Sequence, residues 1–571
     1  MNHRSSDPAT RPPTASPPHA TASLFESLTT RRVFLKFGAG TAAALGLAGV
    51  GAWRARADVS GASLLRDRVD PCFDDSPVGP PFTQPLPIPP ALPPVAQTAD
   101  ADVFQLSERK GVAQIVPGVN TPIWGYDGMT PGPTILARKG RAAHVTFTNE
   151  LQPQDEDAAY INPNPQDPRT HPFLPGTTVV HLHGINADHG SDGYPEDRRA
   201  FGQSFTHHYP NNEYQRPATL WYHDHSVHIT SDHIYRGLAG FYLISDEEED
   251  ASGLPGTLAA DGPNGYGRYD IPLAIKDVMI DPKTGFLIYD NCSHFGAFGD
   301  VMTVNGKQQP RLDVANRKYR FRMLSAGDSR QWLLALRTLP NLRRDVQDQA
   351  ANEEFFLIGT DQGLLTGPAE PTDRVHFATA ERLEIVVDFS RYPVGTRLVM
   401  VNLLADPQDP KLFPIMAFDV TRAEPDPSRI PPVLRPPEHP ADAQPPAQKR
   451  FFEFNTEHGN FTINGRRWDP ARVDAFPVLD TNEEWTLFNS GGGWGHPVHI
   501  HLGRFRIVEV RGRAPRPGEL SGFKDVVWLG PNQTVRVVHQ FWNFTGRFVF
   551  HCHNGSHEDH DMMSQFEVVP G

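Results

Sequence analysis

The sequence predicts an all-β fold made of three copies of one β-sandwich unit, and three observations carry that prediction. Short runs alternate apolar and polar residues, as in Ala143-His144-Val145-Thr146-Phe147-Thr148, Tyr319-Arg320-Phe321-Arg322-Met323 and Trp485-Thr486-Leu487-Phe488. Alternation of period two sets one face of a strand against a core. The 56 prolines and 48 glycines break the chain between such runs, which disfavours long helices. The runs recur about 165 to 175 residues apart, and the turn Val304-Asn305-Gly306-Lys307 is echoed by Ile463-Asn464-Gly465-Arg466, as expected of a repeated sandwich.

Taken in chain order, the first element is a targeting segment. Thr30-Arg31-Arg32-Val33-Phe34-Leu35-Lys36 precedes an apolar run from Phe37 to Ala52, and Ala55-Arg56-Ala57 offers a small-residue cleavage site. This pattern reads as a twin-arginine signal over residues 1–57, engaging the twin-arginine export machinery and sending the protein to the periplasm or the cell exterior. The apolar run falls short of the ~20 residues that span a bilayer, so stable membrane insertion is not expected. Residues 58–571 exceed what one core organises and divide into about three domains of roughly 150 residues. Proline-rich sequence from Gly79 to Pro94 and from Pro425 to Pro446 reads as an extended lead-in and a linker. The expected layout is a lead-in over 58–84 and domains over 85–250, 251–430 and 431–571.

Loss of residues 1–57 would remove seven basic and two acidic side chains and move the formal charge from −14 to −19. Such acidity argues against a nucleic-acid partner and favours neutral or cationic substrates over anionic ones, though it also serves solubility. Of the three cysteines, Cys72 and Cys292 sit in loop-like sequence and are candidates for a disulfide in an oxidising compartment, whereas Cys552 lies between two histidines.

Four histidine clusters carry the chemistry: HLHG at His181, HDH at His223, HPVHIH at His496 and HCHNGSHEDHDM at His551. One such cluster alone is more often a turn or a core strand than a site, but four in one chain are not. On a strand, residues i and i+2 share a face, so His181/His183, His223/His225, His499/His501 and His551/His553 each form a two-pronged fork. Eight imidazoles are what three copper ions need if two take three each and one takes two. Cys552 would point to the opposite face, where His496, His557 and a weak thioether, Met562 rather than its neighbour Met563, complete a blue copper site. Imidazole with one thiolate and a long thioether bond suits copper better than zinc.

These clusters, with Ser191-Asp192-Gly193-Tyr194-Pro195 after the first, Trp221-Tyr222 before the second and His557-Glu558-Asp559 before Asp561-Met562-Met563, resemble the multicopper oxidase family, nearest its bacterial spore-coat laccase, bilirubin oxidase and phenoxazinone synthase group. The resemblance implies three cupredoxin-like Greek-key β-sandwich domains and four copper ions. It makes His181 and His499 ligands of the type 2 copper and His183, His223, His225, His501, His551 and His553 ligands of the type 3 pair. His496, Cys552, His557 and Met562 would hold the type 1 copper, and the middle domain would be copper-free.

The implied activity is oxidation of a small aromatic reducing substrate (phenol, aminophenol, aromatic amine or bilirubin-type pyrrole) one electron at a time at an exposed type 1 site. Four electrons passing through Cys552 would then reduce dioxygen to water. Asp192 and Glu558 would donate protons, set against the plainer role of carboxylates that only orient ligands. An alternative is a cuprous or metal-ion oxidase serving copper tolerance, which nine methionines without a Met-rich tract disfavour. A catalytically silent cupredoxin scaffold is disfavoured further, because the ligand set is complete. His189, His207, His208, His228, His233, His294 and His560 fit no ligand slot and are expected at the surface or supporting the ligands.

Overall fold

Period-two patterning appears as built strand: in Ala142–Asn149, half-buried and buried residues alternate along the whole length, with Ala143, Val145 and Phe147 inward. The computed structural model describes residues 74–152, 160–161, 176–256, 267–289, 296–457, 460–491 and 493–571. The segment 1–57 read as an export signal, Cys72, Cys292 and His294 lie outside these residues. Among the described residues no helix is long and apolar enough to cross a membrane.

The strands form sheets in three pairs, one pair within residues 96–245, one mainly within 270–422 and one within 446–568. Each pair repeats one pattern. The long strand Ala101–Ala113 runs parallel to Ala142–Asn149, Asp270–Ile280 parallel to Lys318–Ser325, and Pro446–Glu457 parallel to Thr481–Asn489. The second strand of each couple contains one of the three alternating runs read in the sequence.

The tight turns repeat as well. Asn305-Gly306 and Asn464-Gly465 both have positive φ at both positions, the geometry that Asn-Gly supplies cheaply. A third copy stands at Asp127-Gly128, between bridged Tyr126 and Met129, with Asp in place of Asn.

Each pair encloses its own apolar core. In the third, Trp485 packs between Phe452 and Phe550 at ring separations of 4.6 and 5.2 Å. Burying one such ring contributes about 1.5–3 kcal/mol. The proline-rich lead-in lies along the middle sandwich, with Phe82 N donating to Gln309 O and Leu86 N to Arg311 O. At the junction of the first and middle sandwiches, fully buried Arg320 and Arg322 face Glu249, Asp270 and Glu384. Buried charges in such number persist only when paired, so this network fixes how the two sandwiches meet.

Two four-stranded sheets carry the histidines. One runs Gly132–Arg138, Ala239–Ser245, Thr219–Asp224, Val180–His183; the other runs Val526–Leu529, His496–Ile500, Gly546–Cys552, Met563–Val568. Antiparallel register sets His181 opposite His223 in the first and His499 opposite His551 in the second.

Candidate metal centre

The forks read from the sequence converge. The fork nitrogens form two separate triads, His183/His223/His553 and His225/His501/His551, each with ligand atoms within 4.8 Å of one another. His181 and His499 sit beside them, within the same distance of each other and of His183. The first sandwich supplies four imidazoles and the third supplies four, so neither half makes the site alone. The rings pack face to face across the junction, His183 on His499 at 3.6 Å and His181 on His501 at 3.9 Å.

All eight rings are buried, and burial first, then their mutual proximity, pushes their pKa values down, with His225 and His553 near 3. They are therefore neutral, with lone pairs available. The inward nitrogens of His181, His183, His223, His499 and His553 are buried without any hydrogen-bond partner. In the triad of His225, His501 and His551 the Nε2 atoms meet one another at 3.2 and 3.4 Å. Acceptors converging on one space without donors are costly unless a cation sits among them, so the residues fit a metal cluster.

Several outward nitrogens are hydrogen-bonded. His181 Nδ1 meets Asp192 O, His223 Nδ1 meets Asp224 O, His499 Nδ1 meets Asp525 O, and His501 Nδ1 lies 2.8 Å from Asp192 Oδ2. Such partners fix which nitrogen faces the metal. Burial raises the pKa of Asp192, whose Oδ1 has no hydrogen-bond partner. Glu558 accepts a hydrogen bond from Thr230 Oγ1, lies 3.7 Å from His225 Nδ1, and is also raised by burial.

On the other face of the same strand, Cys552 Sγ lies 3.4 Å from His496 Nδ1 and 3.6 Å from His557 Nδ1, and the two nitrogens are 3.2 Å apart. Asn554 N donates to the sulfur. Burial holds the thiol pKa far above its usual value, so a bound cation is what would make it a thiolate. Met562 joins the cluster of buried apolar residues that contains Cys552, whereas Met563 packs with Val227 and Val549 on the other side. Cys552 N donates to Met562 O, which pins that residue beside the sulfur.

Resemblance implied an exposed site here, and the structure corrects that. The side chains of His496, Cys552, His557 and Met562 are each fully buried. Phe461 stacks on His557 at 4.5 Å, and Trp494 stands edge-on to it at 6.1 Å. Phe461 is itself fully buried, and Trp494 is half-buried.

Sequence reasoning missed several supports. Asp525 sits in no motif, yet its carboxylate meets His183 Nε2 at 3.0 Å. His233 is buried and faces Asp224, the middle residue of HDH, at 2.9 Å; burial opposes its charge, but the carboxylate overrides this and raises its pKa. His207 and His560 are buried on backbone carbonyls, whereas His208 is exposed.

Two clusters back to back, one of eight imidazoles and one of a cysteine with two histidines, define a copper oxidoreductase class of site. Comparison with known proteins agrees. Multicopper oxidase family patterns match residues 172–249 and 440–571. The chain is 35% identical to a bilirubin oxidase of Albifimbria verrucaria, over 86% of this chain and 82% of that protein. It is 32% identical to a laccase of Bacillus subtilis, over 86% and 98% respectively. The fold superimposes on a multi-copper oxidase of Pediococcus acidilactici with a TM-score of 0.72 and 26% identity, covering 88% of this chain and 95% of that one. The chain belongs to the multicopper oxidase family, whose cupredoxin-like β-sandwich domains it shares, and as such it is an oxidoreductase that uses copper and dioxygen.

Proposed function

We propose that the protein is a laccase-like oxidase, taking single electrons from phenols, aminophenols, aromatic amines or bilirubin-type donors and passing four to dioxygen to form water. The observation that carries this reading is Cys552 flanked by His551 and His553: one residue of the mononuclear group is covalently next to two residues of the eight-histidine group. That gives a short through-bond route between them. The likeness to proteins named bilirubin oxidase and laccase supports the donor class.

In this reading four coppers are held, one by His496, Cys552, His557 and Met562, one by His181 and His499, and one by each triad. Bound there, copper supplies one-electron transfer and the reduction of dioxygen. The protein holds the rings neutral, excludes water by burial, and supplies protons from Asp192 and Glu558, both of which lie within 4 Å of a cluster histidine. This reading divides the chain near residues 85, 250 and 430; the sheet pairs within 96–245, 270–422 and 446–568 support the two later borders, while Leu86 packs with the middle sandwich. Arg31-Arg32 supports twin-arginine export to the periplasm or exterior; a paired Arg31→Lys, Arg32→Lys variant should stay in the cytoplasm, and unchanged export would remove that route.

Dioxygen uptake by copper-loaded protein, fed in parallel with an aminophenol, a methoxyphenol, bilirubin or Cu(I), tests the function. Fast uptake with the organic donors and little with Cu(I) is expected. The reverse order would make it a metal-ion oxidase.

A further inference from the structure

Of the eight clustered histidines, His183 alone turns its Nε2 outward, to the Asp525 carboxylate, and its Nδ1 inward, where that atom has no other partner. The Asp525 backbone carbonyl also receives His499 Nδ1 at 2.8 Å. One residue of the third sandwich therefore orients two imidazoles from opposite sides of the junction. Asp525 is itself fully buried and sits between two side chains of the middle sandwich. Arg382 donates to both of its carboxylate oxygens, at 2.7 Å to Oδ1, and Gln362 Nε2 donates to Oδ2 at 2.7 Å.

The Arg382 guanidinium reaches further. Its Nε donates to Thr219 O, at the start of the strand that carries His223, and its Nη1 to Ala380 O. A single buried cation thus joins all three sandwiches immediately behind the histidines. Around it lie Asp361, Glu381 and Asp525 against Arg382 and Lys524, three carboxyl groups to two cationic side chains beside eight neutral rings. That balance suits a cationic cluster, and an unpaired Asp525 carboxylate would be costly to hold there.

We propose that Arg382, from the middle sandwich, is a positioning residue for the eight-histidine site: it clamps Asp525 so that His183 presents Nδ1 and His499 presents Nε2 to the metal. The proposal rests on the copper-cluster reading above. A planar two-pronged donor is what the geometry uses, and lysine offers only a point charge.

The test compares wild type, Arg382→Gln, Arg382→Lys and Asp525→Asn for three readouts. These are the blue absorption of the cysteine site, copper retained against a chelator, and the electron paramagnetic resonance signal of the non-blue copper. In Arg382→Gln and Asp525→Asn the blue band should persist, reporting an intact third sandwich. The non-blue copper should be held about 10–100-fold more weakly, with an altered resonance signal, and Arg382→Lys should recover part of it. Wild-type retention and signal in Arg382→Gln would overturn the proposal. Parallel loss of blue band and cluster copper would also overturn it, as simple destabilisation. A wild-type protein with copper at the cysteine site alone would instead overturn the cluster reading, and this inference with it.

Discussion

The two metal-binding groups sit back to back on the strand Gly546–Cys552, yet they are built in opposite ways. The cysteine group draws His496, Cys552, His557 and Met562 from one sandwich, with apolar and aromatic neighbours and one backbone N–H on the sulfur. The eight-histidine group is split evenly between two sandwiches and ringed by carboxylates: Asp192, Asp525 and Glu558 each approach an imidazole. A site contained in one core is positioned by packing, whereas a site assembled across a junction needs charged groups to align its halves. Low polarity suits a centre that only passes electrons; nearby acids suit one where dioxygen must gain protons.

The largest effect should come from breaking the link between the groups. Cys552→Ser removes the sulfur and the through-bond route together, so blue absorption and donor-driven dioxygen uptake should both vanish. Residual blue colour in that variant would refute the assignment of Cys552. Next in size is Glu558→Gln, which keeps shape and the Thr230 hydrogen bond but cannot donate a carboxyl proton. Dioxygen reduction should slow by about 100-fold while copper content and blue colour hold, as measured by single-turnover reoxidation. A rate equal to wild type across pH would leave Glu558 as an orienting group only.

A smaller change is expected at Met562. Met562→Leu removes a weak thioether from a buried apolar setting, so the blue band should survive while the reduction potential rises, and turnover should shift only a few-fold. Spectroelectrochemical titration reads this directly. A variant of Met563 that moved the potential while Met562→Leu did not would reverse the choice between the two.

Much of this was legible because ligands repeat in short motifs: the period-two forks fixed which histidines share a face, and the structure brings all eight to one place. How the six remaining fork histidines divide into triads was not legible. Register across the junction between sandwiches decides it, and no local pattern encodes that. Asp525 and Arg382 were invisible for the same reason, since each is a single residue in an ordinary strand or loop whose partner lies about 140 or more residues away. Burial of the cysteine site was missed because Phe461 and Trp494, which cover His557, come from segments remote from the HCH motif.

A carboxyl that is buried in the first sandwich but touches no cluster ring separates the effect of burial from the effect of position. Glu108 is fully buried, accepts a hydrogen bond from Thr178 Oγ1 through one oxygen, and has no partner on the other. Burial pushes its pKa up from 4.5 to about 8, with the nearby Asp224 charge adding to the rise. Below pH ~4.5 folded and unfolded chains are both protonated there, and no penalty exists. Between ~4.5 and ~8 the unfolded chain ionises while the folded one keeps its proton, so this group makes stability fall as pH rises. Above ~8 the penalty levels off. Glu108→Gln removes it, so the variant should gain stability over wild type by an amount growing across that window to on the order of 5 kcal/mol. Thermal unfolding at pH 5, 7 and 9, with turnover unchanged, is the check. A gain that does not grow with pH would show that Glu108 ionises as an ordinary carboxylate, and would leave burial alone insufficient to account for the raised acids beside the histidines.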